Sequence, residues 1–205
     1  MDAIIPVTEG AIDERTLKEC VPKVLGWRHD LDTETVRRAL YTAARAHRGQ
    51  FRASGEPFIT HPIAVASLLA HLGADTDCVA AGLLHDTIED TAVTLGDIAS
   101  DFGSNVAELV HSVTKPCPGT EAPAMEIASY YARRRTVHRV AESERRILVV
   151  KIADRLHNMF TLGALGSWKR QTYSQETMRV FVPVARAFGL VGAELELSRL
   201  AAVYA

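Results

Sequence analysis

The stretch "CVAAGLLHDTIED", residues 78–90, decides how the chain reads. Its first seven residues are almost wholly apolar, as in a helix that runs through a core, and then His85, Asp86, Thr87, Glu89 and Asp90 arrive together. On a helix, residues four apart share a face, so the spacing predicts His85 over Glu89 and Asp86 over Asp90. Burying several carboxylates costs several kcal/mol or more unless a cation, a shifted pKa or contact with water compensates. The apolar approach argues against full exposure, and a metal ion is the economical solution.

Further ligands are sought elsewhere in the chain. In "ITHPIA" His61 stands just before an apolar helix, and in "KIADRLHNM" Asp154 falls in the middle of one. His61, His85, Asp86 and Asp154 together make two imidazoles and two carboxylates. Such a mixed set leaves positions for water and substrate, as a catalytic metal site requires. Each residue also has a plainer reading: His61 as a cap or core residue, Asp154 as the ion-pair partner of Arg155, Glu89 and Asp90 as a solvated helix end. Acids at a helix C-terminus oppose its dipole, which weakens the last of these.

Outward from these sites the pattern is helical throughout. Asp32 and Thr33 are cap candidates for "ETVRRALYTAARAHRG", where Val36, Leu40, Ala43, Ala44 and His47 recur at helical spacing. "QFRASGEPFIT" must be a loop, since Gly55 and Pro57 break any regular element. Pro62 suits a first helical turn, Asp75 or Asp77 can cap the next helix, and Thr94 with Asp97 forms a capping-box pattern. Ser104 is expected to cap "NVAELVHSVTK", and "PCPGTEAP", residues 116–123, to be a surface loop. A basic helix, "MEIASYYARRRTVHRV", and an apolar one containing Asp154 should follow, with Pro183 kinking or dividing the last third. These segments with short connectors predict an all-α bundle. The expected division is an N-terminal extension over 1–32, a core over 33–165 and C-terminal helices over 166–205 packed on it.

Composition narrows the function. The 205 residues are 47% hydrophobic, enough for one sizeable core, and 23 Lys plus Arg against 25 Asp plus Glu leave a net charge of -2. That balance offers no global attraction to nucleic acid or to an anionic membrane. No signal-like or membrane-length apolar segment is found, so a cytoplasmic protein is expected. Cys20, Cys78 and Cys117 are too few and too scattered for a disulfide framework or a thiolate zinc site, and read as reduced bystanders. The run Arg133 to Arg135 reads first as a solvated basic face, and second as a lip attracting a polyanionic nucleotide.

The H…HD…D arrangement resembles the HD-domain phosphohydrolases. Longer stretches, "AHRGQFRASGEPFITHPIAVASLLA", "AAGLLHDTIEDTAVTLGDIASDFGSNVAELVHSVTK" and "VVKIADRLHNMFTL", resemble the hydrolase half of the RelA/SpoT-type enzymes and the small alarmone hydrolases, over roughly residues 34–165. The resemblance implies an HD-domain helical bundle in which His61, His85, Asp86 and Asp154 hold one Mn²⁺, other divalent ions being alternatives. It implies that Glu89 and Asp90 are the catalytic pair and that Arg52, Ser54, Asn158 and Thr161 contact the nucleotide. The implied reaction is hydrolysis of the 3′-diphosphate of ppGpp or pppGpp to GDP or GTP and pyrophosphate, with no synthetase region expected. Two positions depart from the family pattern. Ala53 stands where a Lys is frequent and Phe160 where an Arg is frequent, which makes an adenine alarmone or NADPH a competing substrate. A regulator that binds nucleotide without cutting it is the remaining alternative. No membrane or nucleic-acid partner is expected, and association into homo-oligomers is left open.

Overall fold

The computed structural model describes residues 14–114 and 141–204 together with Met125 and Ala128. The basic helix, Arg133 to Arg135, the 116–123 loop and Cys117 lie outside the described residues. Two compact units divide the chain, Met1–Thr114 and Lys115–Ala205. The boundary falls inside the 33–165 stretch assigned to the core. Among the described residues the secondary structure is helical, with one isolated bridge between Phe51 and Pro57, so the protein is all-α as expected.

The first unit holds α1 (Glu14–Leu25), α2 (Thr33–Ala46), α3 (Thr60–His71), α4 (Thr76–Leu84), α5 (Thr87–Asp90), α6 (Leu95–Phe102) and α7 (Ser104–Val113). Its centre is α4, whose Val79, Ala80, Ala81, Leu83 and Leu84 are wholly buried, with α2, α3 and α7 packed around it. A helix apolar on every side has to be enclosed this way. The predicted caps largely hold: Asp32 accepts from the Glu34 amide, Asp75 from the Cys78 amide, and Thr94 and Asp97 form the reciprocal box. Ser104 does not cap α7. It is the first helical residue, and Gly103 occupies the cap position with φ +87, a conformation that suits glycine.

Gly82 lets two helices meet closely. A Cβ there would lie 2.4 Å from Leu69 Cδ1 and 3.4 Å from Val65 Cγ1, so α3 and α4 approach over a bare backbone. That approach brings the start of α3 to the end of α4.

The second unit holds α8 (Glu142–Phe160), a 3₁₀ turn (Leu162–Ala164), α9 (Ser167–Glu176), a π-helical turn (Thr177–Phe181), α10 (Val182–Ala187) and α11 (Val191–Ala202). Pro183 sits in the first turn of α10 directly after the π turn. It cannot donate to the carbonyl four residues back, and the looser turn absorbs that loss without a sharp break. Arg155 of α8 is buried beneath the rings of Tyr173 and Phe181, 4.7 and 4.3 Å from their centroids, and pairs with Glu176. The ion pair considered between Arg155 and Asp154 is therefore not made in this way; Asp154 takes Lys151 Nζ at 2.9 Å instead.

Candidate metal centre

One helix was expected to run through residues 85–90, and here the structure corrects the sequence reading. Helix α4 stops at Leu84; His85 and Asp86 form a break, and α5 restarts at Thr87. Side chains that bond the main chain cause it. Thr87 Oγ1 donates to the Leu84 carbonyl at 2.7 Å, and His85 Nδ1 lies 2.9 Å from the Gly82 carbonyl. Thr114 Oγ1, at the end of α7, donates to the His85 carbonyl at 3.4 Å. The break turns the His85 ring and the Asp86 carboxylate toward the start of α3 instead of stacking them over the next turn.

His61 waits there, in the first turn of α3. His61 and His85 are 1% and 4% exposed. Their Nε2 atoms are 3.1 Å apart, and the Asp86 carboxylate lies 3.2 Å from His85 Nε2 and 3.5 Å from His61 Nε2. A carbonyl only accepts, so the Gly82 contact fixes the hydrogen of neutral His85 on Nδ1 and leaves the Nε2 lone pair facing His61 and Asp86. Donors about 2.1 Å from a shared cation at right angles lie about 3 Å from one another. The three residues, whose ligand atoms all fall within 4.8 Å, have that spacing and the N/O chemistry of a divalent-ion site. These residues fit a metal ion.

Glu89 and Asp90 follow one turn later on α5 and are both exposed residues. The Asp90 amide donates to the Asp86 carbonyl at 3.0 Å, which ties the acid pair to the donor set. Partial shielding of its carboxylate, and then the negative charge of Asp86, push the Asp90 carboxyl above the usual aspartate range, against the pull of His47 and His85.

The loop over residues 47–59 borders the same place. Arg52 caps the face of Phe58 at 5.8 Å, Ser54 Oγ donates to Glu56 at 2.8 Å, and Gly55 takes a left-handed φ of +88 to close the turn. Ala53 is exposed on it. Phe58 in turn meets His61 edge-on at 6.3 Å. His47, read from the sequence as a structural residue on the inner face of its helix, and Gln50, given no role there, connect this loop to α5.

The remaining nominated residues belong to the second unit. Asp154 is buried in the middle of α8, holding Lys151 and accepting from Asn158 Nδ2. Thr161 ends α8, its hydroxyl 3.4 Å from the His157 carbonyl, and the neighbouring Phe160 is 37% exposed. The structure thus brings His61, His85 and Asp86 together in the first unit and Asp154 with Asn158 in the second.

The sequence model of the HD-domain family matches residues 39–191. The chain is 43% identical over 174 residues to a GTP pyrophosphokinase of Streptomyces coelicolor, covering 83% of this chain and 20% of that protein. It is 41% identical over 165 residues to the bifunctional (p)ppGpp synthase/hydrolase SpoT of Escherichia coli, covering 80% of this chain and 23% of the other. Among solved structures it resembles one described as a metazoan ortholog of SpoT that hydrolyzes ppGpp, at TM-score 0.63 and 26% identity, over 81% of this chain and 93% of that one. The chain spans about a quarter or less of the length of these curated relatives. The chain belongs to the HD-domain family and, within it, is similar to proteins of the RelA/SpoT type.

Proposed function

We propose that this protein is a divalent-cation-dependent phosphohydrolase that removes the 3′-diphosphate of ppGpp or pppGpp, releasing pyrophosphate and GDP or GTP. One observation carries the reading: a triangle of two buried histidines, His61 and His85, and the partly buried Asp86, with an acid pair one turn away. Similarity to the ppGpp-hydrolysing metazoan protein, nearly all of whose length the chain covers, supports the hydrolytic direction. The synthase names among the relatives describe proteins much longer than the matched region.

His61, His85 and Asp86 would hold the ion, and the resemblance adds Asp154 as fourth ligand and Mn²⁺ as the ion. When bound, it would supply an acidified water and neutralise charge on a phosphoryl oxygen. The chain's own residues do the rest. Asp90, held above the ordinary carboxylate range, suits a group that takes a proton from the attacking water and returns it to the departing 3′-oxygen. Glu89 orients that water or shares the proton. Arg52 and Ser54 meet the nucleotide from the 47–59 loop, Arg52 through its planar donors, and Asn158 and Thr161 contact it as the resemblance implies.

The test is to supply ppGpp and Mn²⁺ and measure pyrophosphate release. Release that disappears in Asp86→Ala along with bound metal supports the reading; nucleotide binding without release makes the protein a regulator. A second substrate reading rests on Ala53 and Phe160, both exposed where the family often places a cation. Faster turnover of ppApp or NADPH than of ppGpp in the same assay would favour it.

A further inference from the structure

His47 ends α2, is 2% exposed, and has no place in the reaction described above. Its ring stacks on Phe58 at 4.5 Å between centroids and 22° between planes. Its Nδ1 is 2.8 Å from Gln50 Oε1, and Gln50 Nε2 donates to the main-chain carbonyl of Asp90 at 2.8 Å.

The directions of these bonds follow from chemistry. The Asp90 carbonyl can only accept, so the Gln50 amide nitrogen must face it. The Gln50 oxygen then faces His47 and can only accept, so the hydrogen of neutral His47 is on Nδ1. His47 Nε2 is left as a buried acceptor that meets no donor. An unmet buried acceptor is unfavourable, and a phenylalanine would stack on Phe58 without it. Besides its pull on the Asp90 carboxyl, what the histidine supplies and a phenylalanine lacks is the Nδ1 donor to Gln50.

We propose that His47 and Gln50 form a positioning relay for the acid pair: His47 fixes the Gln50 amide, and Gln50 anchors the C-terminal end of α5 through the Asp90 carbonyl. Helix α5 has four residues and cannot hold its own geometry, since a single turn is an unfavourable nucleus. Its start is fixed by the metal-site break, through Thr87 on the Leu84 carbonyl. Its end, which carries Asp90, is tied back within the turn by Thr91 on the Thr87 carbonyl and anchored to the neighbouring loop by Gln50. The same histidine backs Phe58, which bounds His61, so one side chain sets both the acid pair and one wall of the donor triangle. His47 and Gln50 touch neither substrate nor ion in this scheme and act through Asp90.

The catalytic half of this inference rests on the hydrolase reading; the structural half does not. The test compares wild type, Gln50→Glu, His47→Phe and His47→Asn in the full chain. Gln50→Glu keeps an acceptor for His47 and removes the donor to Asp90. His47→Phe keeps the stack and removes the donor, and His47→Asn keeps an amide donor near the Nδ1 position. The expected result for Gln50→Glu and His47→Phe is a kcat lowered by roughly 10-fold or more, within the ~100-fold that a misplacement near 1 Å produces. KM, Mn²⁺ stoichiometry and melting midpoint should stay near wild type, and amide exchange at Asp90 and Thr91 should quicken. His47→Asn should recover part of the loss. Unchanged exchange at Asp90 and Thr91, His47→Phe equal to wild type, or losses that simply follow the melting midpoint would overturn the relay. Should wild type not hydrolyse ppGpp at all, the hydrolase reading fails, and the exchange measurement still decides the relay.

Discussion

The junction of α3 and α4 and the loop over residues 47–59 meet the same site but are built differently. At the junction, His61 and His85 are buried and locked by helix packing over Gly82, with the His85 ring held on the Gly82 carbonyl. On the loop, Arg52 and Ser54 are held by local contacts, a cation over Phe58 and a hydroxyl on Glu56, and Ala53 and Ser54 are exposed. The difference separates two tasks. A cation site tolerates little displacement of its donors and belongs on rigid elements, whereas recognition of a nucleotide can be altered residue by residue on a surface loop.

The strongest way to break this contrast is at the junction. Asp86→Ala should abolish turnover and cation binding together, read by metal content and pyrophosphate release; a variant that keeps either one removes Asp86 from the donor set. Next come the acids on α5. Glu89→Gln or Asp90→Asn should lower kcat by about 10²- to 10⁴-fold, the range for loss of a proton-transfer group, while leaving the ion bound. Full activity in either would excuse that residue from the mechanism.

Gly82→Val sharpens the comparison through packing alone. The new side chain must displace Leu69 and Val65, so a loss of about 1–3 kcal/mol is expected in denaturant unfolding, with weaker cation binding as α3 and α4 separate. Loss of stability with unaltered cation affinity would show that the close approach does not set the donors. The smallest effect is expected on the loop. Ala53→Lys should tighten guanine alarmone binding only severalfold, as an exposed charge contributes about 1 kcal/mol or less, and added salt should erase the gain. A change that favours no guanine nucleotide would argue that the lost lysine is not what sets specificity.

Much of this was legible in the sequence because it is local. The caps at Asp32, Asp75 and Thr94, the loop around Gly55 and the helical period of α2 and α8 depend on neighbours a few residues away. His61, His85 and Asp86 were legible as chemistry out of place in apolar surroundings. Their mutual geometry was not, because the break at His85–Asp86 depends on Thr87 and His85 bonding the main chain in preference to continuing the helix, a contest that periodicity does not register. Ser104 was misplaced by one residue because Gly103, with its positive φ, takes the cap. Nor could His47 be told from an ordinary core histidine: its partner Gln50 reaches Asp90 across 40 residues of chain.

The most direct test of the central claim is a Mn²⁺ titration of pyrophosphate release from ppGpp, run on wild type and on His61→Ala. One ion per chain that switches on release in wild type, with neither binding nor release in the variant, is the predicted result. Release that needs no divalent ion, or that persists without His61, would contradict it.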